Sequence, residues 1–196
     1  MTSPRLSVCL MLMLFSCCLL GQNGKNPSPG DIELAEKLKT TYPKAEIVSK
    51  STHDQFHFDF DQKSKKVVVK HENHQHLMAL QNGVEYQPYE FYDDVTSVES
   101  AGAAFQNKKR TAIGLKREKY SSNDFFHTDT KVAFFDLQFE TKGFQYKIHF
   151  DKKYRDVKYL TSVYFHEDIP LLDKQISFSI PSWLEVELKE INFEGY

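Results

Sequence analysis

Residues 131–151 read KVAFFDLQFETKGFQYKIHFD, and their alternation of apolar and polar side chains decides the fold class. Ala133, Phe135, Leu137 and Phe139 fall on one face of an extended chain. Phe144, Tyr146, Ile148 and Phe150 fall on one face of the next, opposite Gln145, Lys147, His149 and Asp151. Read locally, this is a β-hairpin. A four-residue loop, residues 140–143 with Gly143 supplying a positive φ, pairs Phe139 with Phe144, Leu137 with Tyr146 and Phe135 with Ile148. Two strands with one apolar face do not stand alone in water, so the pattern demands a second layer.

Working outward, the N-terminus sets the address. Arg5 precedes an apolar run from Leu6 to Leu20, too short to span a bilayer and typical of a secretory signal peptide over residues 1–21. Cleavage is expected after Gly21 or Gln22. The alternative is a lipoprotein signal that ends in a lipidated Cys17, the only route to a membrane that the sequence offers. The expected location is therefore exported, in the periplasm, at the cell surface or secreted. Cys9, Cys17 and Cys18 all lie in this region, so the exported chain is expected to lack disulfides, thiolate ligands and a cysteine nucleophile. Arg5 is the one charged residue of 1–21, which leaves 24 basic against 27 acidic residues, a net charge of −3, and no electrostatic case for nucleic acid.

Residues 22–28 have linker composition, and 29–196 are expected to form a single antiparallel β-sandwich domain with a short N-terminal helix. Ser28, Pro29 and Asp31 read as N-cap, first-turn proline and capping-box acid. Ile32, Ala35 and Leu38 then share a helix face, which is expected to cover one end of a sheet, and Pro43 stops the helix. Strands are expected at 46–51, 55–60 with Phe56, Phe58 and Phe60 on one face, 66–70, and 76–80. The last forms a hairpin with 84–92 through Gln81, Asn82 and Gly83, and Pro88 weakens the partner. Between 97 and 122 one irregular strand is expected at 111–116, with Lys108, Lys109, Arg110, Lys116, Arg117 and Lys119 forming a solvated basic face. Further strands are expected at 160–165, 175–180 with Ile176, Phe178 and Ile180 inward, and 184–189 with Leu184, Val186 and Leu188 inward. Trp183 is expected to plug a sandwich end. Ile191 and Phe193 follow on the other parity, so they either wrap an open end or form a patch for a neighbouring domain.

The residue types that could carry chemistry are few. His71, Glu72, His74 and His76 lie close together, and His74 and His76 project from one strand face. Nothing completes a ligand set, so no metal ligand is assigned. His53 and His57 near Asp54 and Asp59 are equally generic, and no Gly-x-Ser-x-Gly elbow occurs. The sequence thus assigns no catalytic, cofactor-binding or metal residue.

Three stretches carry a family resemblance: FFHTDTKVAFFDLQF at 125–139 with Gly143 in the turn after it, KKYRDVKYLTSVYFHEDIP at 152–170, and IPSWLEVELKEINFEGY at 180–196. Together they resemble the N-terminal β-domain of unknown function that precedes the transglutaminase-like domain in secreted multidomain proteins of the Bacteroidetes type. The resemblance covers 32–196 and rests on aromatic spacing. It implies a β-sandwich that assists or positions a transglutaminase-like neighbour, on the same chain or encoded nearby. Such proteins continue where this chain stops at Tyr196, so the neighbour's Cys-His-Asp machinery is expected to be absent here. The leading expectation is a non-catalytic binding or accessory module without acyl-transfer or proteolytic activity. One alternative is a stand-alone lipid-anchored protein that binds polysaccharide through exposed Tyr and Trp183. The other is a metal-dependent or glycan-active enzyme that uses His71, His74 and His76 or carboxylates such as Asp93 and Asp94.

Overall fold

The computed structural model describes residues 27–105, 113–120 and 129–191. The expected signal peptide 1–21, most of the linker 22–28, Lys108, Lys109, Arg110 and Phe193 lie outside them. The elements in chain order are helix α1 (Pro29–Thr41), β1 (Ile47–Asp61), β2 (Lys66–Ala79), β3 (Val84–Tyr86), β4 (Tyr89–Tyr92), β5 (Thr96–Phe105), β6 (Lys116–Lys119), β7 (Lys131–Phe134), β8 (Leu137–Phe139), β9 (Gln145–Tyr154) and β10 (Lys174–Ser179). The fold is mainly β with antiparallel pairing dominant and one short N-terminal helix. A five-stranded sheet, ordered β10-β1-β2-β9-β5, forms one layer. A two-stranded sheet, β3-β8, and a three-stranded sheet, β4-β7-β6, face it.

Helix α1 forms as its sequence dictates. Ser28 Oγ accepts from the Asp31 amide at 3.2 Å while the Asp31 carboxylate accepts from the Ser28 amide at 3.1 Å, a reciprocal capping box. Ala35 and Leu38 are buried against Val48, Met78 and Leu80, so the helix covers one end of the five-stranded sheet.

All eight inner residues of 131–151 are buried, none more than 8% exposed, yet the two halves do not form a hairpin. Strand β7 pairs with β4 and β6, β8 pairs with β3, and β9 pairs with β2 and β5. The two apolar faces meet across the interior instead of along a ladder: Phe139 lies 6.3 Å from its expected partner Phe144 and packs closer, at 4.9 Å, on Tyr146, while Phe135 lies 5.4 Å from Phe150, centroid to centroid. A period of two says which way a side chain points and says nothing about which strand lies beside it. The corner at 140–143 sends the chain from one layer to the other. Gly143 has φ 84°, and a Cβ there would sit 3.0 Å from the backbone of Asp31 and Ile32, so only glycine fits. Its amide donates to the Ala79 carbonyl, which ties the corner to the end of β2.

The Asn-Gly turn behaves in the same way. Gly83 has a positive φ, 67°, and the chain turns there, but β3 pairs with β8 and not with β2. The two corners brace each other: the Lys142 amide donates to Asn82 Oδ1 at 2.8 Å and the Gly83 amide to the Glu140 carbonyl at 3.3 Å.

Other boundaries move for one recurrent reason. The expected strands 46–51 and 55–60 are the single fifteen-residue β1, with a bulge between Ser49 and Ser51, and 66–70 and 76–80 are the single fourteen-residue β2. Polar residues hid the continuity, because Thr52, Asp54 and Asn73 are buried on the inner face. Pro88 does interrupt the chain, separating β3 from β4. Strand β5 was not legible among the small residues at 101–104; of the irregular strand expected at 111–116, residues 111 and 112 lie outside the described residues, 113–115 form no strand, and β6 starts at Lys116.

The C-terminal third departs most. Strand β10 runs parallel to β1, not antiparallel. Residues 160–165 and 184–189 form no strand, although Leu160, Val163, Leu184 and Val186 pack as irregular chain around Phe56, Phe58 and Val69. Leu188 is 60% exposed, Ile191 66% and Ile180 40%, so the inward facing expected of Leu188 and Ile180 does not hold. Trp183 plugs nothing: it is 54% exposed, with its ring edge-on to Phe60 at 6.2 Å.

Candidate functional site

The histidines of the 71–76 cluster are divided between two faces. His71 turns inward, where its Nε2 lies 2.7 Å from Asp54 Oδ1 and its ring stacks on Phe56 at 4.2 Å. Asn73 donates to the same carboxylate oxygen at 2.7 Å, and Lys174 Nζ lies 3.4 Å from Oδ2 and 2.5 Å from Glu167. Burial pushes the Asp54 carboxyl up, but the hydrogen bonds from His71 and Asn73, with the His71 and Lys174 charges, outweigh it and hold the group below the ordinary carboxylate range. The network fastens β10 and the chain before it to β1 and β2. Among the described residues no hydroxyl is hydrogen-bonded to His71, and the face of its ring is covered by Phe56.

The outward histidines follow register rather than sequence proximity. His53, His74 and His149 are direct partners across β1, β2 and β9, and the rings of His74 and His149 lie 5.7 Å apart. His149 lies over Gly102, where an added Cβ would come within 2.4 Å of its ring. Glu72 is paired with Lys70 at 2.6 Å. His76 is half-buried beside Lys50 and Lys147, its Nε2 without a hydrogen-bond partner. Burial first, then those two lysines, lower its pKa to about 4. Among the described residues no group of three or more His, Cys, Asp and Glu is arranged to hold a metal ion. Asp93 Oδ1 accepts from the Val95 and Thr96 amides and so caps a turn, while Asp59 accepts from the Phe60 amide.

An open groove of about 570 Å³ lies elsewhere, on the outer face of the β4-β7-β6 sheet. Register explains its lining. Tyr89, Phe134 and Lys116 form one row across the sheet, and Phe91, Val132 and Glu118 form the next. The alternate residues Glu90, Ala133 and Arg117 face inward: Ala133 is buried, Glu90 pairs with Lys152 at 2.7 Å, and Arg117 reaches the Val98 carbonyl at 3.1 Å. Tyr120 extends the aromatic path. Phe91 lies 5.1 Å from Tyr89 at 63° and 4.9 Å from Tyr120 at 72°, so successive rings turn along a twisted line. Tyr89 is 52% and Tyr120 43% exposed.

The rim is polar. Lys116 is ion-paired with Asp136 and lies over the Phe134 ring, and Gln87 donates to Asp136 at 2.7 Å. The Lys116 hydrogen bond, followed by that of Gln87, holds the Asp136 carboxyl low. The groove thus sets two exposed rings, Tyr89 and Tyr120, beside a few convergent polar groups. Trp183 is not among its lining residues. The sequence signal that could have found it is Tyr89 and Phe91 at alternate positions after Pro88, facing away from a core already filled by Phe135, Leu137 and Phe139. No known protein-family model matches this chain, and no curated protein matches it.

Proposed function

We propose that this protein is a non-catalytic binding module whose ligand is a glycan chain lying along Tyr89, Phe91 and Tyr120. The observation that carries the reading is the groove itself: aromatic rings spaced by about 5 Å, comparable to the length of a pyranose ring, beside amide, carboxylate and phenol groups. Ring faces attract the polarised C–H face of a sugar, and the polar groups at the rim accept from and donate to its hydroxyls. A proline-rich peptide, the other common occupant of aromatic grooves, suits this rim less well. It offers carbonyl acceptors and few donors, whereas Glu118 and Asp136 are acceptors.

An exported location, expected from residues 1–21, agrees with this reading, and so does an accessory place beside a transglutaminase-like neighbour, where the module would hold polymer near another active site. The Asp54–His71 pair fits a fastening role, because it joins β1 to β2 and, through Lys174, to β10. The test is affinity electrophoresis of the purified chain through gels containing soluble polysaccharides. Retardation by at least one glycan, weakened about tenfold in Tyr89→Ala and Tyr120→Ala with unchanged melting, is the expected result. Equal retardation of both variants and the parent would remove the groove from the binding site.

A further inference from the structure

The charges along the groove specify the ligand more narrowly, and this inference rests on the glycan reading above. We infer that the groove selects glycans without carboxylate or sulfate groups, and that Glu118 is the residue that enforces the selection. Three charged side chains line the groove, Lys116, Glu118 and Asp136. The one cation is already engaged: Lys116 is ion-paired with Asp136 and held over the Phe134 ring. Asp136 is engaged twice, by Lys116 and by Gln87. Glu118 makes no ion pair among the described residues, and it shares a row with Phe91 and Val132, midway along the aromatic path.

An approaching ligand therefore meets, in the middle of the binding line, a carboxylate whose neighbouring cation, Lys116, is already ion-paired with Asp136. A neutral sugar can donate hydroxyl hydrogen bonds to it. A uronate carboxylate or a sulfate group has no proton to donate and faces like-charge repulsion across a few ångströms. It could reach Lys116 only by displacing Asp136. Tyr89, Phe91 and Tyr120 contribute nothing to this choice, because ring stacking does not distinguish a neutral pyranose from a charged one. Selection and affinity therefore lie on different residues of one groove.

The experiment uses matched polymers, the neutral and carboxymethylated forms of cellulose, amylose and curdlan, in affinity electrophoresis of the purified chain and of Glu118→Gln and Glu118→Lys. Glu118 is exposed, and unchanged melting of both variants confirms that they fold. The expected result is about tenfold weaker binding of the carboxymethylated form of whichever backbone binds. That preference should shrink in about 0.5 M salt, vanish in Glu118→Gln and invert in Glu118→Lys. Binding of neutral and carboxymethylated forms with equal strength, or a preference that survives Glu118→Gln, overturns the selection while leaving the glycan reading intact. Retardation by no member of the panel overturns both.

Discussion

The outer faces of the two layers differ in a way that interior packing does not require. On the five-stranded sheet the outward row holds His53, His74 and His149, flanked by Lys70, Glu72, Lys147 and Asp151. That is the ordinary chemistry of a sheet face turned to water. On the three-stranded sheet the outward positions hold Tyr89, Phe91, Val132 and Phe134. Both faces rest on the same core, so burial on folding explains neither the aromatic residues of the second nor their absence from the first. An aromatic face left open where a polar one would suffice is the feature on which the proposed glycan binding rests. The histidine row, for all its prominence in the sequence, follows from strand register and sits among charged side chains.

The sharpest way to break this contrast is through the core that the two layers share. Ile148, 2% exposed, points between the layers, and its neighbour Lys147 points out of the five-stranded sheet. Ile148→Asp is expected to cost more than about 4 kcal/mol and abolish folding, whereas Lys147→Asp changes stability by less than about 0.5 kcal/mol. Circular dichroism and urea melts compare them; equal loss in both would mean that the two sides of β9 are wrongly assigned.

Next in size is the half-buried histidine beneath the polar face. The His76 pKa of about 4 lies below the ordinary 6.5, so as pH falls the unfolded chain takes up the proton first. Its neutral ring thus contributes stability that is complete above pH 6.5 and is lost between about pH 6.5 and pH 4. Discounted for partial exposure, that contribution is about 1 to 3 kcal/mol. His76→Leu should flatten the stability curve across this window. Asp54, whose pKa is lowered, acts further down, losing its contribution as pH falls below the ordinary carboxylate value toward its own. An unaltered curve in His76→Leu would show that the ring is hydrated and ordinary.

Smaller still is the expected effect of the groove on stability. Because Tyr89 is about half exposed, Tyr89→Ala should leave the melting free energy within about 0.5 kcal/mol while weakening binding. A loss of several kcal/mol would make the ring part of the fold and weaken the contrast between the faces. Smallest is a null effect on the polar face: purified protein should carry no stoichiometric zinc or copper, and replacing His74 and His149 with Ala should not change the metal content. Elemental analysis that finds one metal per chain, lost in that double variant, would turn the histidine row into a site of its own.

What the amino-acid sequence determined by itself is local. The capping box at Ser28 and Asp31, the positive φ at Gly83 and Gly143, the break at Pro88 and the inward parity of eight residues in 131–151 all follow from interactions within a few residues or from a period of two. The tertiary structure alone decided which strands lie side by side. The halves of 131–151 became opposite layers, and β10 joined β1 in parallel, because pairing depends on partners dozens of residues away that the period does not encode. The same holds for the polar residues. Nothing local distinguishes Asp54 and His71, turned inward to each other, from Glu72 and His74, turned out, until β1 and β2 are known to run unbroken through them. The groove was least legible of all. It exists only because β6 and β4 flank β7 and bring Tyr120, Glu118 and Lys116 beside Tyr89 and Phe91, residues separated by more than twenty positions in the chain.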